Sequence, residues 1–164
     1  MTQSKRGINR RTAIQITIAA SCCGGAAHAG GPKVDQITDP GAREVTDMFR
    51  FSPDLITVER GSEVAFLNSR GEHTVHSVPQ LWPEGVPEVG ISNNPEAIVG
   101  FPTDGLYGFR CRRHGQYGMV MLVVVGEGGD LSGIPEQIDA MRASDREKEA
   151  FAKLLARYQE TREA

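Results

Sequence analysis

From about Thr46 onward the apolar positions fall into short β-rich runs rather than long periodic stretches. Met48-Phe49-Arg50-Phe51, Leu55-Ile56-Thr57-Val58, Glu63-Val64-Ala65-Phe66-Leu67 and His73-Thr74-Val75-His76-Ser77-Val78 come in close succession. Glu59-Arg60-Gly61-Ser62 and Asn68-Ser69-Arg70-Gly71 separate them with turn chemistry,. A Pro/Gly-rich loop from Pro79 to Pro95 leads to Glu96-Ala97-Ile98-Val99-Gly100-Phe101, then to Gly105-Leu106-Tyr107-Gly108-Phe109-Arg110-Cys111. Met119-Val120-Met121-Leu122-Val123-Val124-Val125 closes the set. About seven short strands at this spacing predict a β-sandwich. No internal repeat is visible.

Beyond residue 126 the period changes. Ile134, Ile138 and Met141 recur at i, i+4 and i+7 behind Pro135, which suits a first helical turn,. Ser144-Asp145-Arg146-Glu147 is a capping box, and Phe151, Leu154, Leu155 and Tyr158 then form one apolar stripe,. Two helices are expected. The stripe could dock a partner, but amphipathic helices most often bury their stripe at home, so packing over a face or edge of the sandwich is expected.

The N-terminal segment has a different pattern. Lys5, Arg6, Arg10 and Arg11 make a basic start, residues 13–20 are a short apolar run, and Ala27-His28-Ala29 fits a small-residue cleavage site. Residues 1–29 therefore read as a cleaved export signal, too short in its apolar run to span a bilayer. Asn9-Arg10-Arg11-Thr12 suggests the twin-arginine type, with general secretory and Cys22-acylated lipoprotein versions as alternatives,. The expected organisation is an export signal at 1–29, a loose lead-in at 30–45, a β-sandwich at 46–126 and a helical extension at 127–164 packed on the sandwich. Removal of the signal lowers Lys+Arg from 18 to 14 while Asp+Glu stays at 21, giving a net charge of −7. The ordinary composition and the absence of a basic block argue against disorder and against nucleic-acid binding. Removal also leaves Cys111 as the single cysteine in an oxidising compartment, which points to a reactive thiol, an intermolecular bridge or a metal thiolate,.

Cys111-Arg112-Arg113-His114-Gly115-Gln116-Tyr117-Gly118-Met119 decides between them. A thiolate, an imidazole and a thioether lie together between two strands. Soft donors select copper, and two His with one Cys and a weak axial Met is an electron-transfer arrangement. Zinc is the rival metal, but a thioether is a poor zinc ligand. Three histidines are too few for a multicopper oxidase cluster, and no Ser-His-Asp set or phosphate loop stands out. His73 and His76 are both available as the second imidazole, and strand alternation points them to opposite faces, so one ion does not easily use both. Met119 and Met121 share a face, and alternation does not separate them.

This pattern resembles the small blue copper proteins, the cupredoxins, and pseudoazurins most closely. The C-x₂-H-x₄-M spacing is met by Cys111, His114 and Met119, Gly71-Glu72-His73-Thr74-Val75 supplies the upstream part, and Gly105–Cys111 matches a G-x-Y-x-x-x-C strand. Plastocyanins share the ligand spacing, and the two C-terminal helices favour pseudoazurin. The resemblance spans roughly Phe51 to Tyr158. It implies an all-β Greek-key β-sandwich with two C-terminal α-helices and one type 1 copper ion held by His73, Cys111, His114 and Met119. It further implies a monomeric periplasmic electron carrier rather than an enzyme, without stable membrane insertion. Its redox partners, such as nitrite or nitrous oxide reductase or cytochromes, would dock near His114. A periplasmic copper carrier or storage protein using the same ligands is the alternative; an interaction module with an incidental site is a third reading. Gly71, Pro79, Gly115 and Tyr117 are expected to form the docking patch, with Arg70, Arg112 and Arg113 as a basic rim. Two positions depart from the family pattern. Thr74 replaces the Asn that ties the two ligand loops together, and Arg113 replaces a Pro before the second ligand His.

Overall fold

The computed structural model describes residues 31–68 and 73–163. In chain order these form β1 (Lys33–Thr38), α1 (Val45–Met48), β2 (Phe49–Ser52), β3 (Leu55–Val58), β4 (Glu63–Leu67) and β5 (Thr74–Ser77). A short 3-10 turn (Pro79–Leu81), β6 (Gly90–Ser92), β7 (Glu96–Gly100) and β8 (Gly105–Arg110) follow. A second 3-10 turn (Gly115–Tyr117), β9 (Val120–Val125), α2 (Ile134–Asp139) and α3 (Asp145–Glu163) complete the order.

The strands make two layers. One sheet has the order β2-β1-β4-β7 and the other β3-β9-β8-β5-β6. Period-2 alternation puts Val34, Phe51, Val64 and Phe66 of the first sheet against Val75, Tyr107, Phe109, Met121 and Val123 of the second,. Strand β9 has no polar position to expose, and all six of its residues are buried. Met121, Val123 and Val125 face the sandwich core. Val120, Leu122 and Val124 face the other way, where Ile134, Ile138, Met141, Phe151, Leu154, Leu155 and Tyr158 cover them. A continuous apolar run of this kind is what a strand covered on both faces requires. The architecture is therefore the β-sandwich with C-terminal helices expected from the pattern, and the α3 stripe covers a sheet face.

Two strands lie where none was expected. The stretch 30–45, read as a loose lead-in, contains β1, which pairs antiparallel with β2 and parallel with β4. Its alternation (Val34, Gln36 and Thr38 on one face) is short and flanked by Gly, Pro and Asp, so turn chemistry masked it,. Strand β6 lies inside the Pro/Gly-rich loop and pairs with β5. His73 also shifts slightly against expectation. It stands immediately before β5 rather than within it.

The site is positioned by the β8–β9 hairpin and the start of β5. Arg110 pairs with Val120, and the Cys111 N–H continues the ladder to the Met119 carbonyl at 3.1 Å. The intervening residues form a closed loop beside β5, where His76 pairs with Arg110.

Candidate metal centre

The loop from Cys111 to Met119 is folded by its own backbone. The Gly115 N–H donates to the Cys111 carbonyl at 2.7 Å, and both Tyr117 and Met119 donate to the His114 carbonyl at 2.9 and 3.2 Å. Gly118 closes the 3-10 turn at φ +98°, a left-handed conformation that a side chain would strain,. This folding returns the chain to β9 with His114 turned toward Cys111.

Three donor atoms then converge. His73 Nδ1 and His114 Nδ1 are 3.1 Å apart, Cys111 Sγ lies 3.6 Å from His114 Nδ1, and it lies 4.0 Å from His73 Nδ1. The same three atoms can all serve one cation as donors. A point inside this triangle is about 2.1 Å from all three atoms, close to a metal–nitrogen bond of about 2.0–2.1 Å. Cys111 and His73 are fully buried. Cys111 is the only cysteine among the described residues and is a free thiol. Burial, then the neighbouring His114 and Arg113, push the His73 pKa down to about 4. Burial and Arg113 lower that of His114. Both imidazoles are therefore neutral at pH 7, the form that binds a metal.

The second layer around these donors is well defined. Thr38, the last residue of β1, has its Oγ1 2.9 Å from His73 Nε2, which leaves Nδ1 aimed at the triangle,. Thr38 pairs across the hairpin with Phe49. Phe49 stacks on His114, with ring centroids 3.9 Å apart and planes within 4°. One cross-strand pair thus supports both histidines. Thr74 stands where the resemblance implies an Asn. Its hydroxyl accepts the Arg112 N–H at 2.8 Å and donates to Cys111 Sγ at 3.7 Å, so it bridges the two ligand segments. Asn68 Nδ2 donates to the His73 carbonyl at 3.4 Å.

The four sequence candidates are brought to one end of the sandwich. His73, Cys111 and His114 form the triangle, and Met119 is fully buried at the far end of the same loop. Met121 sits next along that face, opposite Phe109 on β8. His76 is not in the triangle. Its ring lies against Gly90, and its Nε2 is buried without a hydrogen-bond partner among the described residues. Two members of the expected docking patch do not belong to this surface. Pro79 lines a cavity with Asp104 and Gly105, at the end of β8 opposite the loop. Gly115 is buried, facing Glu147 rather than solvent. Gly71 and Arg70 lie outside the described residues; Arg112 and Arg113 are exposed, and Tyr117 is half-buried. Thr38 and Phe49 were missed from the sequence. The Phe49/Phe51 alternation was the available signal, since it places Phe49 on the inward face at the strand's end.

A donor set of one thiolate, two imidazoles and a nearby thioether fits copper better than zinc. The family model for copper binding proteins of the plastocyanin/azurin family matches residues 42–126. The chain belongs to this family. Among related copper proteins, the pseudoazurin of Paracoccus pantotrophus is 31% identical over 106 residues, which is 65% of this chain and 69% of that one. The pseudoazurin of Methylorubrum extorquens is 37% identical over 83 residues, or 51% of this chain, and the match spans only 56% of that relative's length. Among solved structures, pseudoazurin from Methylobacterium extorquens AM1 superposes with a TM-score of 0.64 at 27% identity, covering 79% of this chain and 99% of that one. Pseudoazurin from Hyphomicrobium denitrificans gives 0.64 at 28% identity, covering 78% and 98%. The protein is thus a pseudoazurin-like cupredoxin, and copper is its cofactor.

Proposed function

We propose that this cupredoxin is a periplasmic carrier of single electrons, in which His73, Cys111 and His114 would hold copper strongly and Met119 would be the weak fourth ligand,. The convergence of Nδ1, Nδ1 and Sγ into one triangle carries the reading. Bound copper supplies a Cu(I)/Cu(II) couple. The chain's own residues keep the site rigid. Thr38 fixes the His73 ring, Phe49 covers one face of His114, and Thr74 holds the Cys111 segment against β5. Burial of Cys111 and Met119 excludes water from the sulfur side. His114 is only half-buried, so its outer edge is the route for an electron to a docked redox protein. Phe49 and Tyr117 flank that edge, with ring centroids 5.8 Å apart. Arg112 and Arg113 form an exposed basic rim suited to an acidic partner such as a nitrite or nitrous oxide reductase or a cytochrome.

Residues 1–29, which lie outside the described residues, are read as the export signal. No helix among the described residues is long and apolar enough to cross a membrane. The decisive measurement is a visible spectrum after Cu(II) addition. Intense thiolate-to-copper absorption in the visible range is expected, lost in Cys111→Ser; a colourless wild-type protein refutes the ligand assignment. A reversible potential with slow copper loss to a chelator separates the electron carrier from a copper-delivery protein, which would release the ion rapidly.

A further inference from the structure

Helix α3 does more than cover the outer face of β9. Its first turn touches the ligand loop at successive points. Ser144, just ahead of the helix, accepts the Glu147 N–H on its Oγ at 3.2 Å and donates that hydroxyl to the Gln116 carbonyl at 3.0 Å. Glu147 is only 4% exposed, and Arg110 Nη1 donates to its Oε1 at 3.1 Å. Arg110 is the residue before Cys111. Gly115 rests on the same carboxylate, where a Cβ would come 3.3 Å from Oε2. One turn further along the helix, Ala150 backs Gly118, whose Cβ would lie 3.8 Å from it.

A capping-box Glu ordinarily turns back to its own helix terminus. Here its carboxylate is turned to the loop instead. Burying it costs free energy that the Arg110 pair and the cap must offset, so the arrangement is a specific one. The tie points fall before Cys111, within the 3-10 turn that follows His114, and at Gly118 just after it.

We infer that Ser144 and Glu147 are positioning residues for the copper site: the first turn of α3 clamps the Cys111–Met119 loop in its ligand-bearing shape before metal enters. This rests on the ligand assignment above. The clamp limits how far Cys111 and His114 can separate, so it slows copper release and restrains the change in site geometry on redox cycling.

The test uses the full chain with Ser144→Ala, Glu147→Gln and, as control, Leu155→Ala, which removes a buried α3 side chain from the cluster that covers the outer face of β9. Amide hydrogen exchange of residues 111–119 is measured in the metal-free proteins, alongside thermal midpoints. Copper loss to a chelator and the copper spectrum are measured in the loaded ones. Loop exchange about tenfold faster is expected in Ser144→Ala and Glu147→Gln, with faster copper loss and an altered visible spectrum. Leu155→Ala should lower the midpoint at least as much while leaving loop exchange and spectrum near wild type. If the two clamp variants change loop exchange no more than Leu155→Ala does, the clamp is refuted. The wild-type spectrum judges the ligand assignment separately, because the exchange measurement needs no copper.

Discussion

At the scale of single residues, the site's character is set by the groups that touch the donors. The Thr74 hydroxyl withdraws charge from Cys111 Sγ and caps the Arg112 N–H. A hydrogen bond to the thiolate weakens its donation and favours the reduced ion. Thr74→Val should therefore lower the midpoint potential by tens of millivolts, as read by voltammetry, consistent with a hydrogen bond worth about 1 kcal/mol. Phe49→Leu removes the stack on His114. A loss of about 1 kcal/mol of stability is expected, with faster copper release to a chelator; an unchanged release rate would show that the stack is passive. Protons act on the same residues. His73, His76 and His114 all have lowered pKa values, with burial as the leading cause. The unfolded chain then binds more protons than the folded one as pH falls below about 6.5. Metal-free protein should lose stability progressively from pH 7 toward pH 4, in thermal melts at stepped pH. Flat midpoints across that range would contradict the burial described.

At the scale of elements, β9 is the pivot. Its inward positions complete the sandwich core, and its outward positions need α2 and α3. Phe151 is fully buried in that second layer. Phe151→Ala should cost about 3–5 kcal/mol, measured as a shift in urea midpoint with little change in slope. The β1–β2 hairpin is the other functional element, because its Thr38–Phe49 pair ends beneath the two histidines. It was only half legible. The Phe49 and Phe51 positions announced β2, whereas β1 is a short strand between Pro32 and a turn at Asp39, and its role depends on a parallel pairing with β4 that no local pattern encodes.

At the scale of the whole molecule, charge is distributed unevenly. The chain without residues 1–29 carries −7, yet the exposed Arg112 and Arg113 follow Cys111 directly. Arg112→Glu with Arg113→Glu should slow electron transfer to an acidic redox protein severalfold at low salt. The difference should fade as ionic strength rises and the Debye length contracts. Stopped-flow rates across a salt series check this, and an effect independent of salt would point to altered site geometry instead of docking.

The amino-acid sequence by itself determined the β-sandwich, the two helices and the Cys111–Met119 ligand loop. These rest on local signals: alternation, turn residues, helical period and ligand spacing within nine residues of chain. Strand alternation separated His73 from His76, but it did not say which of them meets Cys111. That was decided by the pairing of β5, which sets His76 between Arg110 of β8 and Gly90 of β6 and leaves His73 at the loop. Tertiary structure alone also brought Thr38, Phe49, Ser144 and Glu147 to the site. Their contacts with the ligands and the ligand loop span 24 to 68 positions along the chain, from Phe49–His73 to Phe49–Tyr117. Contacts of that range depend on sheet order and helix placement, which arise from burial of the whole core rather than from any short stretch of sequence.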